Sequence, residues 1–192
     1  MLGRYKEYIE PRLRALARAV SAVGVGPNMI TLMGLAFGLA GLYAVYTTGF
    51  PGYFVAASAA MALMDMLDGL VARYTGKSSR FGAFLDSTVD RAEDAVLVAG
   101  LLYAGLIGPG AALLLLTGMF LISYARARAE ALGVPMAGVG IAERPERILL
   151  VLLALLVSLF SIDAARAIVY VLTALVYVTV AERVIHVYRV LG

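Results

Sequence analysis

Six apolar stretches, at residues 27–46, 53–73, 81–105, 111–132, 147–160 and 164–188, take up most of the 192 residues. About 20 apolar residues cross the hydrocarbon core of a bilayer as a helix, and in lipid every backbone N–H and C=O must find its partner inside the protein. A chain patterned this way has few options. It is expected to fold as an all-α integral membrane protein with six transmembrane helices. Composition agrees: 62% of the residues are hydrophobic, and a mean hydropathy of +0.90 lies well outside the soluble range. The turn formers "TTGFPG" and "GLIGPG" are short, which predicts antiparallel pairing of helices one and two and of helices three and four. The fifth run is brief and is expected to take its first turn from "ERPER".

The first 22 residues have another character. "MLGRYKEYIEPRLRALARAV" is charged throughout and lacks the apolar centre of a cleavable signal. Arg4, Lys6, Arg12, Arg14 and Arg18, set against Leu13, Leu16 and Val20, predict an amphipathic helix in the membrane interface; a solvated basic leader is the alternative. Residues 1–192 are therefore read as a single membrane domain, with 1–22 interfacial and 23–192 a six-helix bundle. Lys77, Arg80, Arg144, Arg183 and Arg189 fall on the side of the N-terminal helix, and only Arg166 falls opposite. The positive-inside rule then puts both termini and the charged loops in the cytoplasm, in a multi-pass protein of the cell membrane. Topology accounts for the net charge of +3, so nucleic acid is not an expected partner. With no cysteine, disulfides and cysteine-ligated metals are excluded.

Acids inside these runs need a reason. Asp65 and Asp68 are spaced i, i+3 at the end of the second run, and Asp86 and Asp90 are spaced i, i+4 at the start of the third. Each spacing puts both carboxylates on one helix face. A bare aspartate in a bilayer costs about 2.5–3.5 kcal/mol, so four would cost on the order of 10 kcal/mol. Protonation is one escape, and a divalent cation held by several carboxylates is another. Salt bridging to Arg73, Arg80 and Arg91 is the structural alternative. Gly69 and Gly82 beside the acids, with Ala72 and Ala83, predict a flat floor that a ligand can approach. Asp94, one turn beyond Asp90, is read as an arginine's partner, and Arg91 as paired with Glu93 or another acid. The only histidine, His186, is read as a packing or interface residue rather than a ligand.

The spacing D-x2-D-G-x2-A-R-x8-G-x3-D-x3-D, filled by Asp65, Asp68, Gly69, Ala72, Arg73, Gly82, Asp86 and Asp90, resembles the signature of the CDP-alcohol phosphotransferases, membrane enzymes with six spans. "PNMIT" at the first helix agrees with that likeness. The resemblance implies attack by an alcohol on a CDP-linked lipid with release of CMP. It implies two Mg²⁺ or Mn²⁺ ions on Asp65, Asp68, Asp86 and Asp90, with Asp90 also the general base. By the same resemblance Asp65, Gly69, Arg73, Gly82 and Ala83 bind the CDP-lipid, joined by Thr31 and Asn28 from the first helix. Asn28 is open to a second reading, as a helix cap. A homodimer is implied too.

A second group addresses the acceptor. "SYARARAEALGV" and "GIAERPERILL" put Arg126, Arg128, Arg144 and Arg147, interleaved with glutamates, at one membrane face. Arginine meets phosphate by bidentate bonding, so a phosphorylated acceptor is expected on Arg126, Arg128, Arg144, Arg147 and Arg183. The two segments resemble those of phosphatidylinositol phosphate and archaetidylinositol phosphate synthases, which implies inositol 1-phosphate as acceptor and CDP-diacylglycerol or CDP-archaeol as donor. Glycerol 3-phosphate is the alternative acceptor. An ion-coupled transporter is a distant reading, because the acids sit on two consecutive helices near one face and no internal repeat is visible.

Overall fold

A computed structural model describes residues 15, 18–20 and 24–192. Its helices are α1 (Pro27–Thr48), α2 (Pro51–Thr75), α3 (Arg80–Tyr103), α4 (Pro109–Ala131), α5 (Arg144–Ser158) and α6 (Ile162–Leu191), and the described residues contain no strand. The interfacial helix expected over 1–22 falls largely outside the described residues; 15 and 18–20 are helical.

The helix ends follow from local chemistry. Pro27, Pro51 and Pro109 open α1, α2 and α4, where the N–H that proline lacks would have no helical partner. Ser79 caps α3, its Oγ accepting from the Gly82 N–H at 2.9 Å. Helix α5 opens on the Arg144–Pro145 turn behind Glu143, so "ERPER" does supply its first turn. Gly49 (φ +69) follows α1 in a backbone conformation that side chains rarely adopt.

Helices α1, α2, α4 and α6 are each long and apolar enough to cross a membrane. The apolar run of α3 is interrupted by Asp86, Asp90, Arg91, Glu93 and Asp94, and α5 has only 15 residues. The chain is thus an all-helical, multi-pass membrane protein. Tyr43, Leu113, Leu149 and Tyr170 are more than half exposed on their helices, an apolar surface suited to lipid.

Two compact units divide the helices. One holds 27–40 and 57–93, the other 41–56 and 94–192. In the first, Ile30, Leu67 and Val71 form a core with Val25, Met64 and Leu70 around it. A Cβ at Gly34 would stand 3.2 Å from Met64 Cβ and 3.1 Å from Glu93 Oε1, so this glycine lets α1 close on its neighbours. In the second, α4 and α5 both pack on α6 over buried Leu115, Met119, Val151, Leu155, Leu172 and Val176. A Cβ at Gly118 would lie 2.5 Å from Val176 Cγ1, which holds that position to glycine. Asp94 and Arg147 meet at 3.9 Å, both almost wholly buried, and Arg147 also donates to the Met119 carbonyl at 3.5 Å. This is the arginine partner expected for Asp94.

Candidate functional site

In the first unit, α2 presents Asp65 and Asp68, and α3 presents Asp86 and Asp90. Asp65, Asp68 and Asp86 each offer a carboxylate oxygen, all within 4.8 Å of one another, and so do Asp65, Asp90 and Glu93. Asp65 belongs to both groups. Carboxylates this close repel unless a proton or a cation lies among them, and an all-oxygen set is the donor chemistry of Mg²⁺ or Mn²⁺. The residues present therefore fit a divalent ion.

The acids are aimed by their neighbours. Thr31 Oγ1 donates to Asp68 Oδ2 at 2.5 Å and is also 3.1 Å from the Pro27 carbonyl, which fixes its direction. Asp68 is 6% exposed, so that bond is shielded from competing water. Arg91 donates to Asp90 Oδ2 at 3.3 Å.

A cleft of about 240 Å³ opens beside Asp68 and Asp86, and its wall includes Asn28, Thr31, Gly69, Arg73, Gly82 and Ala83. The structure thus brings together six of the seven residues expected to bind the CDP-lipid, and places Asp65 with the carboxylates. A Cβ on Gly69 would meet nothing within 4 Å, so this glycine borders open space. A Cβ on Gly82 would stand 3.1 Å from both Asn28 Oδ1 and Ser79 Oγ. The Gly26 carbonyl accepts from the N–H groups of Met29 and Ile30 at 3.0 and 3.2 Å, so Gly26 flanks α1 and Asn28, inside its first turn, lines the cleft.

Four neighbours escaped the sequence reading. Lys77, Ser78 and Ser79 line the cleft, and Glu93 joins the second acid group. Ser79 had a signal, a serine three residues before a helical N–H. Glu93 had one too, i+3 from Asp90 on the same face. Lys77 was legible only as a topology marker.

The expected acceptor arginines lie in the second unit. Arg126 is half-exposed and donates from Nε to Glu130 Oε1 at 2.9 Å. Arg128 is exposed and Arg144 half-buried in the first turn of α5. Arg147 is buried against Asp94, as above. Arg183, 3% exposed, donates from Nε to the Val139 carbonyl at 3.0 Å and from Nη1 to the Ile122 carbonyl at 2.6 Å. The charges of Arg126, Glu143 and Glu130 all bear on Arg183, so three distant segments bring their alternating charges to one place.

A family model described as CDP-alcohol phosphatidyltransferase matches residues 25–183. The chain is 36% identical over 186 residues to archaetidylinositol phosphate synthase of Pyrococcus horikoshii, covering 96% of this chain and 95% of that one. It is also similar to a crystal structure of Mycobacterium tuberculosis phosphatidylinositol phosphate synthase with CDP-DAG bound, at TM-score 0.81 and 33% identity over 92% of this chain and 93% of that one. A structure of the same mycobacterial enzyme with manganese and citrate matches at TM-score 0.81 and 33% identity, over 92% and 88% of the two chains.

Proposed function

The chain belongs to the CDP-alcohol phosphatidyltransferase family, and from that premise we propose that it transfers the lipid phosphate of CDP-diacylglycerol or CDP-archaeol to inositol 1-phosphate, releasing CMP. The observation that carries this reading is the pair of carboxylate groups sharing Asp65 at the edge of an open cleft.

Asp65, Asp68 and Asp86 would hold one divalent ion, and Asp65, Asp90 and Glu93 would hold a second. Such ions, when bound, neutralise the diphosphate, polarise the phosphorus under attack and stabilise the departing CMP. Asp90 takes the proton from the acceptor hydroxyl as its oxygen bonds to phosphorus and the bond to the CMP oxygen breaks. Thr31 keeps Asp68 aimed. Gly69, Gly82 and Ala83 leave the floor bare for the donor, while Arg73 and Lys77 screen its phosphates and Asn28 walls the cleft. The acceptor's phosphate is met by Arg126, Arg128, Arg144 and Arg183, and the buried Arg147 adds its positive field.

In this reading α3 and α5 also cross the bilayer, making six spans with both termini and the site on the cytoplasmic side. Residues 1–22 lie in the interface, the whole forms one domain, and two copies form a dimer. The likeness of the whole chain to archaetidylinositol and phosphatidylinositol phosphate synthases favours inositol phosphate as the acceptor.

The test is CMP release by purified protein from CDP-diacylglycerol and CDP-archaeol with Mg²⁺. Inositol 1-phosphate is expected to support turnover, free inositol is not, and EDTA is expected to stop the reaction. Faster release with glycerol 3-phosphate would keep the chemistry and overturn the acceptor.

A further inference from the structure

We propose that Thr179 and Glu182 are positioning residues for the acceptor's arginines, acting through the main chain that leads into α5. This rests on the arginine cluster being the acceptor site, as read above.

Thr179 is fully buried in α6. Its Oγ1 donates to the Leu175 carbonyl at 2.9 Å and accepts from the Ala142 N–H at 3.0 Å. One turn on, Glu182 Oε2 accepts from the Ile141 N–H at 3.0 Å. Arg183, the next residue, takes the Val139 carbonyl. One face of α6 therefore grips three of the four residues 139–142 by their backbone. The fourth, Gly140, has φ +113, and a Cβ there would collide with Thr179 Cγ2. The segment lies flush on the helix, with no space for a side chain at that point.

What this grip controls is the start of α5. Ala142 is 1% exposed and immediately precedes Glu143, the residue that caps α5 and accepts from the Arg147 N–H at 3.2 Å. Arg144 is the first residue of that helix. Fixing the main chain at 141 and 142 fixes where the helix begins and so where the Arg144 guanidinium is delivered. A bidentate guanidinium–phosphate contact depends on direction as well as distance. Neither Thr179 nor Glu182 needs to touch the acceptor for this.

The experiment compares Thr179→Val, Thr179→Ser, Glu182→Ala and Glu182→Gln with the unaltered protein. Valine keeps the shape of threonine but offers the Ala142 N–H no acceptor; serine and glutamine keep an acceptor oxygen. KM for inositol 1-phosphate is expected to rise about tenfold or more in the valine and alanine variants, the scale of loss that displacing a binding group by about 1 Å brings. KM for the CDP-lipid and kcat at saturating acceptor are expected to stay at the unaltered values, with serine and glutamine restoring acceptor KM. Equal loss of both KM values, a fall in melting temperature with acceptor KM unchanged, or no restoration by serine and glutamine would overturn the proposal. Should Thr179→Val fail to fold, the half-exposed Glu182 pair decides alone. Should the unaltered protein turn over glycerol 3-phosphate and not inositol 1-phosphate, the acceptor reading fails, and the same KM comparison made with glycerol 3-phosphate decides the clamp.

Discussion

The two charged regions of the molecule are built in opposite ways. In the first unit the aspartates come from two consecutive helices, at spacings that put each pair on one face of its helix, and short contacts such as Thr31 to Asp68 aim them. In the second unit the arginines come from α4, α5 and α6, and two of them, Arg147 and Arg183, are buried and bonded to main-chain carbonyls. The acid region is therefore chemistry with little scaffold. The arginine region carries much of its own scaffold in the charged residues themselves.

That contrast can be broken by asking which substitutions damage activity and which damage the fold. Asp90→Asn is expected to lower CMP release by about 10²–10⁴-fold, the usual range for a lost general base, with melting temperature in detergent unchanged. Arg147→Met is expected to act first on the fold, beyond any rise in acceptor KM from the lost positive field. Removing one member of a buried ion pair costs about 3–5 kcal/mol, so unfolding should move to clearly lower temperature or denaturant. If both variants lost stability equally, the contrast between the regions would fail. The smallest effect sharpens it further. Gly69→Ala should gain up to about 1 kcal/mol of stability from helix propensity, since its Cβ meets nothing within 4 Å, yet raise KM for the CDP-lipid by intruding on the cleft floor. A stabilised variant with unchanged donor KM would remove Gly69 from the cleft's function.

How far the sequence could be read follows the same divide. The helices began within a few residues of the apolar runs that Gly and Pro punctuate, because these residues act within one turn. The grouping of Asp65, Asp68 and Asp86 was likewise legible, since helical periodicity and one short connection suffice to make it. Glu93 was assigned to ion pairing because its role depends on which way α3 faces α2, a tertiary matter. Thr179 and Glu182 left no mark. Their partners are backbone N–H groups 37 and 41 residues away, and a backbone group has the same chemistry whatever residue bears it. The same holds for the scaffold part of Arg183: its charge pointed to a phosphate, and nothing in the sequence showed that its Nε and Nη1 also bond to carbonyls.

The brevity of α5 has a consequence for solvation. Fifteen residues rise only about 22 Å at 1.5 Å each, short of the ~30 Å hydrocarbon layer that the proposed crossing must traverse. Non-helical backbone survives at such depth only where protein buries it or where it lines a water-filled cavity. Residues 139–142 meet that condition, since α6 side chains take up the Val139 carbonyl and the Ile141 and Ala142 N–H groups. Here α6 stands in for solvent, letting an irregular stretch of chain replace the turns that the short helix lacks.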